Sequence, residues 1–74
     1  MTKDEVKQYQ AIIKKVFEFF LERCKSPPTT AEEWHETVMA AEEINSGYLG
    51  SGYEDFCVRM FSTVLLELES IGKA

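Results

Sequence analysis

The chain has 74 residues, of which 45% are hydrophobic and 28% charged, and its net charge is −5. This composition is typical of one folded domain near the lower size limit for stability by burial alone, and it excludes a disordered chain. No apolar run reaches the roughly 18 residues of a membrane span. The acidic balance argues against direct nucleic-acid binding, which needs a basic patch. The first residues lack the apolar segment of a secretory signal, so a cytoplasmic location is expected.

The first predicted helix covers about residues 3–25. Thr2 and Glu5 have the spacing of a capping box at its start, and the prolines that follow Ser26 end it. Its apolar side chains cover roughly 200° of the circumference, whereas packing on one side requires a stripe only somewhat over 100° wide. We therefore expect part of this helix to contact a further helix, from this chain or from another.

Two more helices are predicted after it. Thr30 and Glu33 repeat the capping-box spacing, and the helix that they begin covers about residues 31–46. Gly47 can end it in the left-handed conformation, and Trp34 is expected to anchor it to the first helix.

A third capping-box spacing begins at Ser51 and ends at Glu54, and it predicts a helix over about residues 52–71. Short connections make successive helices antiparallel neighbours. The sequence therefore predicts a single all-α domain, a three-helix up-down-up bundle.

Catalytic and metal-binding motifs are incomplete. His35-Glu36 begins like the H-E-x-x-H zinc motif, but Met39 occupies the position of the second histidine. Glu32 and His35 have the Glu-x-x-His spacing of di-metal bundles, in which such residues face the bundle interior, whereas Glu32 is expected outside. Cys24 and Cys57 are expected to be small core residues and free thiols. We therefore predict no enzyme, no cofactor and no metal site, and a metal-binding helical dimer stays the third alternative.

Charge is unevenly distributed along the chain. Residues 1–25 carry a net charge of +2, residues 26–51 carry five Glu and no Lys or Arg, and residues 52–74 carry a net charge of −2. Glu32, Glu36 and Glu43 share one face of the second helix, with Glu33 at its edge. Two interpretations remain open, a solvated face and an acidic docking surface for a protein with a basic surface.

Apolar residues seven positions apart extend beyond what a three-helix core requires. Ile12 and Phe19 lie on one flank of the first helix, and Val58 and Leu65 on one flank of the third. Exposed apolar rows are usually buried against a partner. These four residues are therefore expected to form a homodimer contact or a groove for a partner helix.

With its small size, its Thr-Thr-Ala-Glu-Glu-Trp helix opening and its acidic three-helix plan, the chain resembles the small accessory proteins of bacteriophages and other mobile elements of gut bacteria. Some members of this group inhibit host defence nucleases by occupying basic nucleic-acid channels with an acidic surface. The resemblance implies a non-enzymatic inhibitor of a nucleic-acid-handling host protein. The alternative is a self-associating structural or regulatory protein.

Overall fold

The computed structural model describes residues 1–73, which form three α-helices: α1 (Lys3–Lys25), α2 (Ala31–Ser46) and α3 (Glu54–Lys73). The central helix is α3, because it packs against both α1 and α2. No Cα atom of α1 lies within 8 Å of a Cα atom of α2. The predicted all-α three-helix bundle is confirmed. No helix in this part of the chain is both long enough and apolar enough to span a membrane.

Aromatic contacts give the direction of the helices. The ring of Tyr9 lies edge-on to the rings of Tyr53 and Phe56, with centroids 5.2 and 4.8 Å apart, and Phe19 lies edge-on to Phe61 at 5.1 Å. Residue numbers therefore rise together in α1 and α3, which are parallel. The second helix in the chain, α2, runs the other way: Trp34 near its start lies beside Glu69 and Gly72 at the end of α3, as the up-down-up prediction requires.

The core lies where α3 faces the other two helices. Its buried apolar side chains come from all three helices: Ile12, Val16, Phe19, Ala41, Cys57, Phe61 and Leu68. One polar residue, Thr37, is also buried, and its hydroxyl donates a 2.8 Å hydrogen bond to the backbone carbonyl of Glu33. This bond within the helix lets a polar side chain enter the core without losing its hydrogen bond.

Two of the three predicted capping boxes are present. Thr2 and Glu5 cap α1, and Thr30 and Glu33 cap α2, with both reciprocal hydrogen bonds formed in each case. The box predicted at Ser51 is wrong. There the Ser51 hydroxyl oxygen accepts from the backbone N–H of Tyr53, and α3 begins at Glu54.

Glycine geometry explains the later start of α3. Gly50 and Gly52 have φ values of 74° and 89°, which are incompatible with a right-handed helix, so the connection continues through position 52. The predicted left-handed cap at Gly47 is also wrong, because this residue has a helical φ of −66°. The chain reverses direction at Gly50 and Gly52 instead.

Trp34 is half-buried near the start of α2 and packs against the core. It lines a small depression together with Pro28 and with Glu69 and Gly72 at the end of α3, so it joins α2 to α3. The expected contact of Trp34 with the first helix stays a prediction.

Candidate interaction surfaces

The acidic face of α2 is exposed to solvent. Glu32, Glu36 and Glu43 are all exposed, and Met39 is exposed among them. Glu36, Met39 and Glu43 line a shallow depression of about 600 Å³, whose floor includes the half-buried Ala40. An exposed methionine within a ring of carboxylates offers apolar contact at the centre and negative charge at the edge.

Lysine and arginine residues do not neutralise this face. The two ion pairs within residues 1–73 join Lys25 to Glu22 at 3.8 Å and Lys73 to Glu69 at 2.8 Å, and both are local to α1 or α3. The last turn of α2 has no basic side chain. The negative potential of α2 is therefore available to a positively charged partner.

Glu33 has a different role from its neighbours. One oxygen of its carboxylate accepts hydrogen bonds from the backbone N–H groups of Thr29 and Thr30 and from the Thr29 hydroxyl, at 3.0 to 3.2 Å. These bonds, the backbone bond from Thr29 foremost, lower the pKa of Glu33 below its ordinary value. The carboxylate is committed to the cap of α2, so we exclude Glu33 from the acidic docking surface, which we define as Glu32, Glu36 and Glu43.

A groove separates α1 from the end of α2. Gln8, Ala11 and Lys15 line one wall, and Glu43, Ile44 and Tyr48 are on the other side. Glu43 lies both in this groove and in the depression around Met39, so the acidic docking surface is continuous with the groove. The ammonium of Lys15 reaches across to the hydroxyl of Tyr48 at 2.9 Å.

The predicted apolar flanks divide differently in the structure. Ile12 and Phe19 are 0% and 7% exposed, so the expectation that they form an exposed row is wrong. The reason is that this side of α1 faces α3, where Phe19 meets Phe61. On α3, Val58 is exposed, whereas Leu65 is half-buried against the core.

A neighbouring apolar row of α1, which begins one residue later in the sequence than the buried pair, is exposed. Ile13, Phe17 and Leu21 are exposed and follow one another at intervals of four residues. Val6, seven residues before Ile13, is exposed as well. Helical periodicity alone could not separate this row from the buried one, because both belong to the same wide stripe. The width of the stripe was the only signal of its presence in the sequence.

No three side chains of the Cys, His, Asp and Glu types are grouped to hold a metal ion within residues 1–73. His35 and Glu32, which carry the Glu-x-x-His spacing, are both exposed. Cys24 and Cys57 are unpaired, and Cys57 is fully buried. Burial raises the pKa of the Cys57 thiol, while the nearby charge of Lys15 opposes this shift.

Comparisons with known proteins identify no relative. No protein-family model matches the chain, and neither the curated proteins nor the solved structures contain a significant match.

Proposed function

We propose that this chain is a non-enzymatic protein-interaction module whose acidic docking surface binds a basic surface of another protein. The observation that carries the proposal is that Glu32, Glu36 and Glu43 are exposed on a helix without Lys or Arg. The exposed side chain of Met39 supports it, because it offers apolar contact within the charged surface. Such a surface would steer a basic partner towards the chain by long-range attraction.

Basic surfaces of the required kind occur where proteins bind nucleic acid, since phosphate contacts depend on Lys and Arg. A short acidic helix that covers such a surface competes with nucleic acid for the same charges. Inhibition of a nucleic-acid-handling host protein is therefore the activity that we propose for this module, in agreement with the mobile-element resemblance.

The experiment begins with affinity capture of partners from a bacterial lysate, followed by purification of a captured protein. Association rates are then measured at two salt concentrations for the wild type and for a variant with Glu32→Gln, Glu36→Gln and Glu43→Gln. We expect the variant to associate more slowly and with a flatter salt dependence, because exposed charges are screened over about 8 Å at physiological ionic strength.

A matched control changes three other exposed acids, Glu18→Gln, Glu22→Gln and Glu67→Gln, and so alters the net charge by the same amount. If the association rate falls equally in both variants, the net charge of the chain, and not the acidic docking surface, is responsible for the attraction. If neither variant differs from the wild type, α2 is only a scaffold element and the proposal is wrong. Competition of the captured protein with an oligonucleotide tests the inhibitory activity separately.

A further inference from the structure

Two sets of residues on α1 have the spacing that is typical of coiled coils, and one of these sets lies towards the outside of the bundle. Positions 6, 10, 13, 17, 20 and 24 alternate by four and three residues, which is the spacing of residues that contact a neighbouring helix. Five of these six positions are apolar. Phe17 is 58% exposed and Val6 and Ile13 are also exposed, whereas Phe20 and Cys24 are half-buried because they pack in part against the core of their own chain. We call this set the outer seam, because the parallel set at positions 9, 12, 16 and 19 packs inside the bundle.

The edge of the outer seam is basic. Lys7 and Lys14 follow Val6 and Ile13 directly, and both are exposed. Neither belongs to an ion pair within residues 1–73. The whole segment 1–25 carries +2, so the seam favours an occupant whose apolar surface has an acidic edge.

A cleft with an acidic edge lies between α2 and α3. It has a volume of about 470 Å³, and the exposed side chains of Leu49, which is 71% exposed, and Val58 supply its apolar surface. The carboxylates of Glu42, Glu54 and Asp55 line it as well. Its charge and its apolar surface are therefore complementary to those of the outer seam.

The outer seam and the cleft lie at the same level of the bundle. The contacts of Tyr9 with Tyr53 and Phe56 place the first half of α1 beside the start of α3. Glu54 and Val58, which line the cleft, belong to that same part of α3. Lys7 and Lys14 therefore lie at the same height along the bundle as the carboxylates of the cleft, with which they would form ion pairs.

Both surfaces also border the outward face of α3. On a helix with 3.6 residues per turn, Leu66 lies about 80° from Phe56, on the side of α1, and about 80° from Val58, on the side of α2. Leu66 is 69% exposed, although it is a large apolar residue on an otherwise polar face. One broad surface therefore contains, in order, the outer seam, Leu66 and the cleft.

We propose that this surface is a homodimer interface with a two-fold axis parallel to α3. A rotation about that axis places α1 of each copy over the cleft of the other at the same height, and it brings the two Leu66 side chains together. The interface is isologous, so each contact between Lys7 or Lys14 and the acidic edge occurs twice. The occupant of the outer seam is a second copy of this chain.

The test is the mass in solution, measured by light scattering and sedimentation equilibrium across a concentration series. The monomer mass is 8.5 kDa, and we expect twice this value for the wild type. Phe17→Gln and Leu66→Gln should each raise the dissociation constant at least tenfold. Because both side chains are exposed in the single chain, their circular-dichroism spectra should keep the helical signal. Met39→Gln is the matched control, since Met39 is an exposed apolar residue outside this surface.

Charge reversal tests the pairing itself. The change Lys7→Glu with Lys14→Glu should weaken the dimer, as should Glu42→Lys with Asp55→Lys, while all four changes in one chain should restore it. A monomeric wild type at millimolar concentration would overturn the proposal. A dimer whose dissociation constant is unchanged by Leu66→Gln would also overturn it, because α1 would then pair with α1. A variant with all four charge changes that stays monomeric would overturn it as well. The variant with Glu32→Gln, Glu36→Gln and Glu43→Gln should remain dimeric, which separates this proposal from the proposed function.

Discussion

The ammonium group of Lys15 donates a 2.9 Å hydrogen bond to the hydroxyl oxygen of Tyr48 and also lies 4.9 Å from the centroid of the same ring. The other side-chain hydrogen bonds within residues 1–73 join residues no more than four positions apart. This contact therefore ties α1 to the turn that follows α2, across a groove in which no Cα atom of α1 lies within 8 Å of a Cα atom of α2.

The Tyr48 hydroxyl can be removed without removing its ring. We expect Tyr48→Phe to lower the free energy of unfolding by about 0.5–1 kcal/mol, because an exposed hydrogen bond contributes little beyond what water offers. Chemical denaturation with urea measures this value. Tyr53→Phe is the control, since no hydrogen bond to the Tyr53 hydroxyl occurs in the described residues. An equal loss in both variants would mean that the bond to Lys15 contributes nothing specific.

The Phe19–Phe61 pair is at the centre of the core. Phe61 is fully buried, and the two rings lie 5.1 Å apart at an angle of 84°. Phe61→Ala should lower the free energy of unfolding by about 3–5 kcal/mol, which is close to the whole stability of a domain of this size. Ile12→Val should cost only about 0.5–1.5 kcal/mol, since it removes one buried methylene.

Thermal and urea unfolding followed by circular dichroism compare these variants. Met39→Ala is the control, because this side chain is exposed, and we expect it to change the free energy of unfolding by no more than about 0.5 kcal/mol. A Phe61→Ala variant that unfolds at the same urea concentration as the wild type would contradict the packing of α1 on α3.

The cap of α2 should make stability depend on pH. The pKa of Glu33 is lower in the folded chain than its ordinary value of 4.5, because of hydrogen bonds from the backbone N–H groups of Thr29 and Thr30. The unfolded chain therefore binds the proton more readily. The stabilisation is present above the unfolded value and is lost as the pH falls through the folded pKa.

Glu33→Gln should therefore be less stable than the wild type at neutral pH and should lose this difference well below pH 4.5. Denaturation at pH 7 and at acidic pH measures both values. Glu36→Gln is the control, because the Glu36 side chain has no hydrogen bond to another described residue and the change removes only like-charge repulsion along α2. Thr30→Ala should cost about 1 kcal/mol at pH 7, as expected for loss of an N-cap hydroxyl. A difference between Glu33→Gln and the wild type that persists at acidic pH would argue against the charged cap.

The two thiols should differ in reactivity. Cys57 is fully buried and burial raises its pKa, whereas Cys24 is half-buried at the end of α1. With a thiol reagent on the native protein, we expect Cys24 to react first and Cys57 only as fast as the chain opens. Mass spectrometry of the labelled peptides identifies each site.

Unfolding in non-reducing buffer should expose both thiols. Cys24→Ala should remove the fast phase and leave the slow one. The loss of both thiols at unchanged monomer mass would indicate a disulfide and contradict the placement of the two cysteines at opposite ends of the bundle.

Local chemistry in the sequence determined most of the fold. The capping boxes at Thr2 and Thr30 depend on side chains that bond to backbone groups three residues away, so no distant contact is needed to form them. The breadth of the apolar stripe on α1 indicated more apolar surface than one neighbour covers, and Ile13, Phe17 and Leu21 are exposed beside the face that packs on α3. The capping box predicted from local spacing at Ser51 is absent, because the positive φ values of Gly50 and Gly52 prevent α3 from beginning there.

Only the tertiary structure decided how the faces are used. Ile12 and Ile13 are adjacent apolar residues of similar size, yet the first is buried and the second exposed, because α3 packs on one side of the stripe. Glu33 and Glu36 are both exposed, but the carboxylate of Glu33 accepts hydrogen bonds from the backbone at the cap, whereas that of Glu36 faces solvent. Side-chain periodicity fixes which residues share a face of a helix. Which face a neighbour covers depends on the crossing of helices that are distant in sequence, and a local pattern carries no information on that crossing.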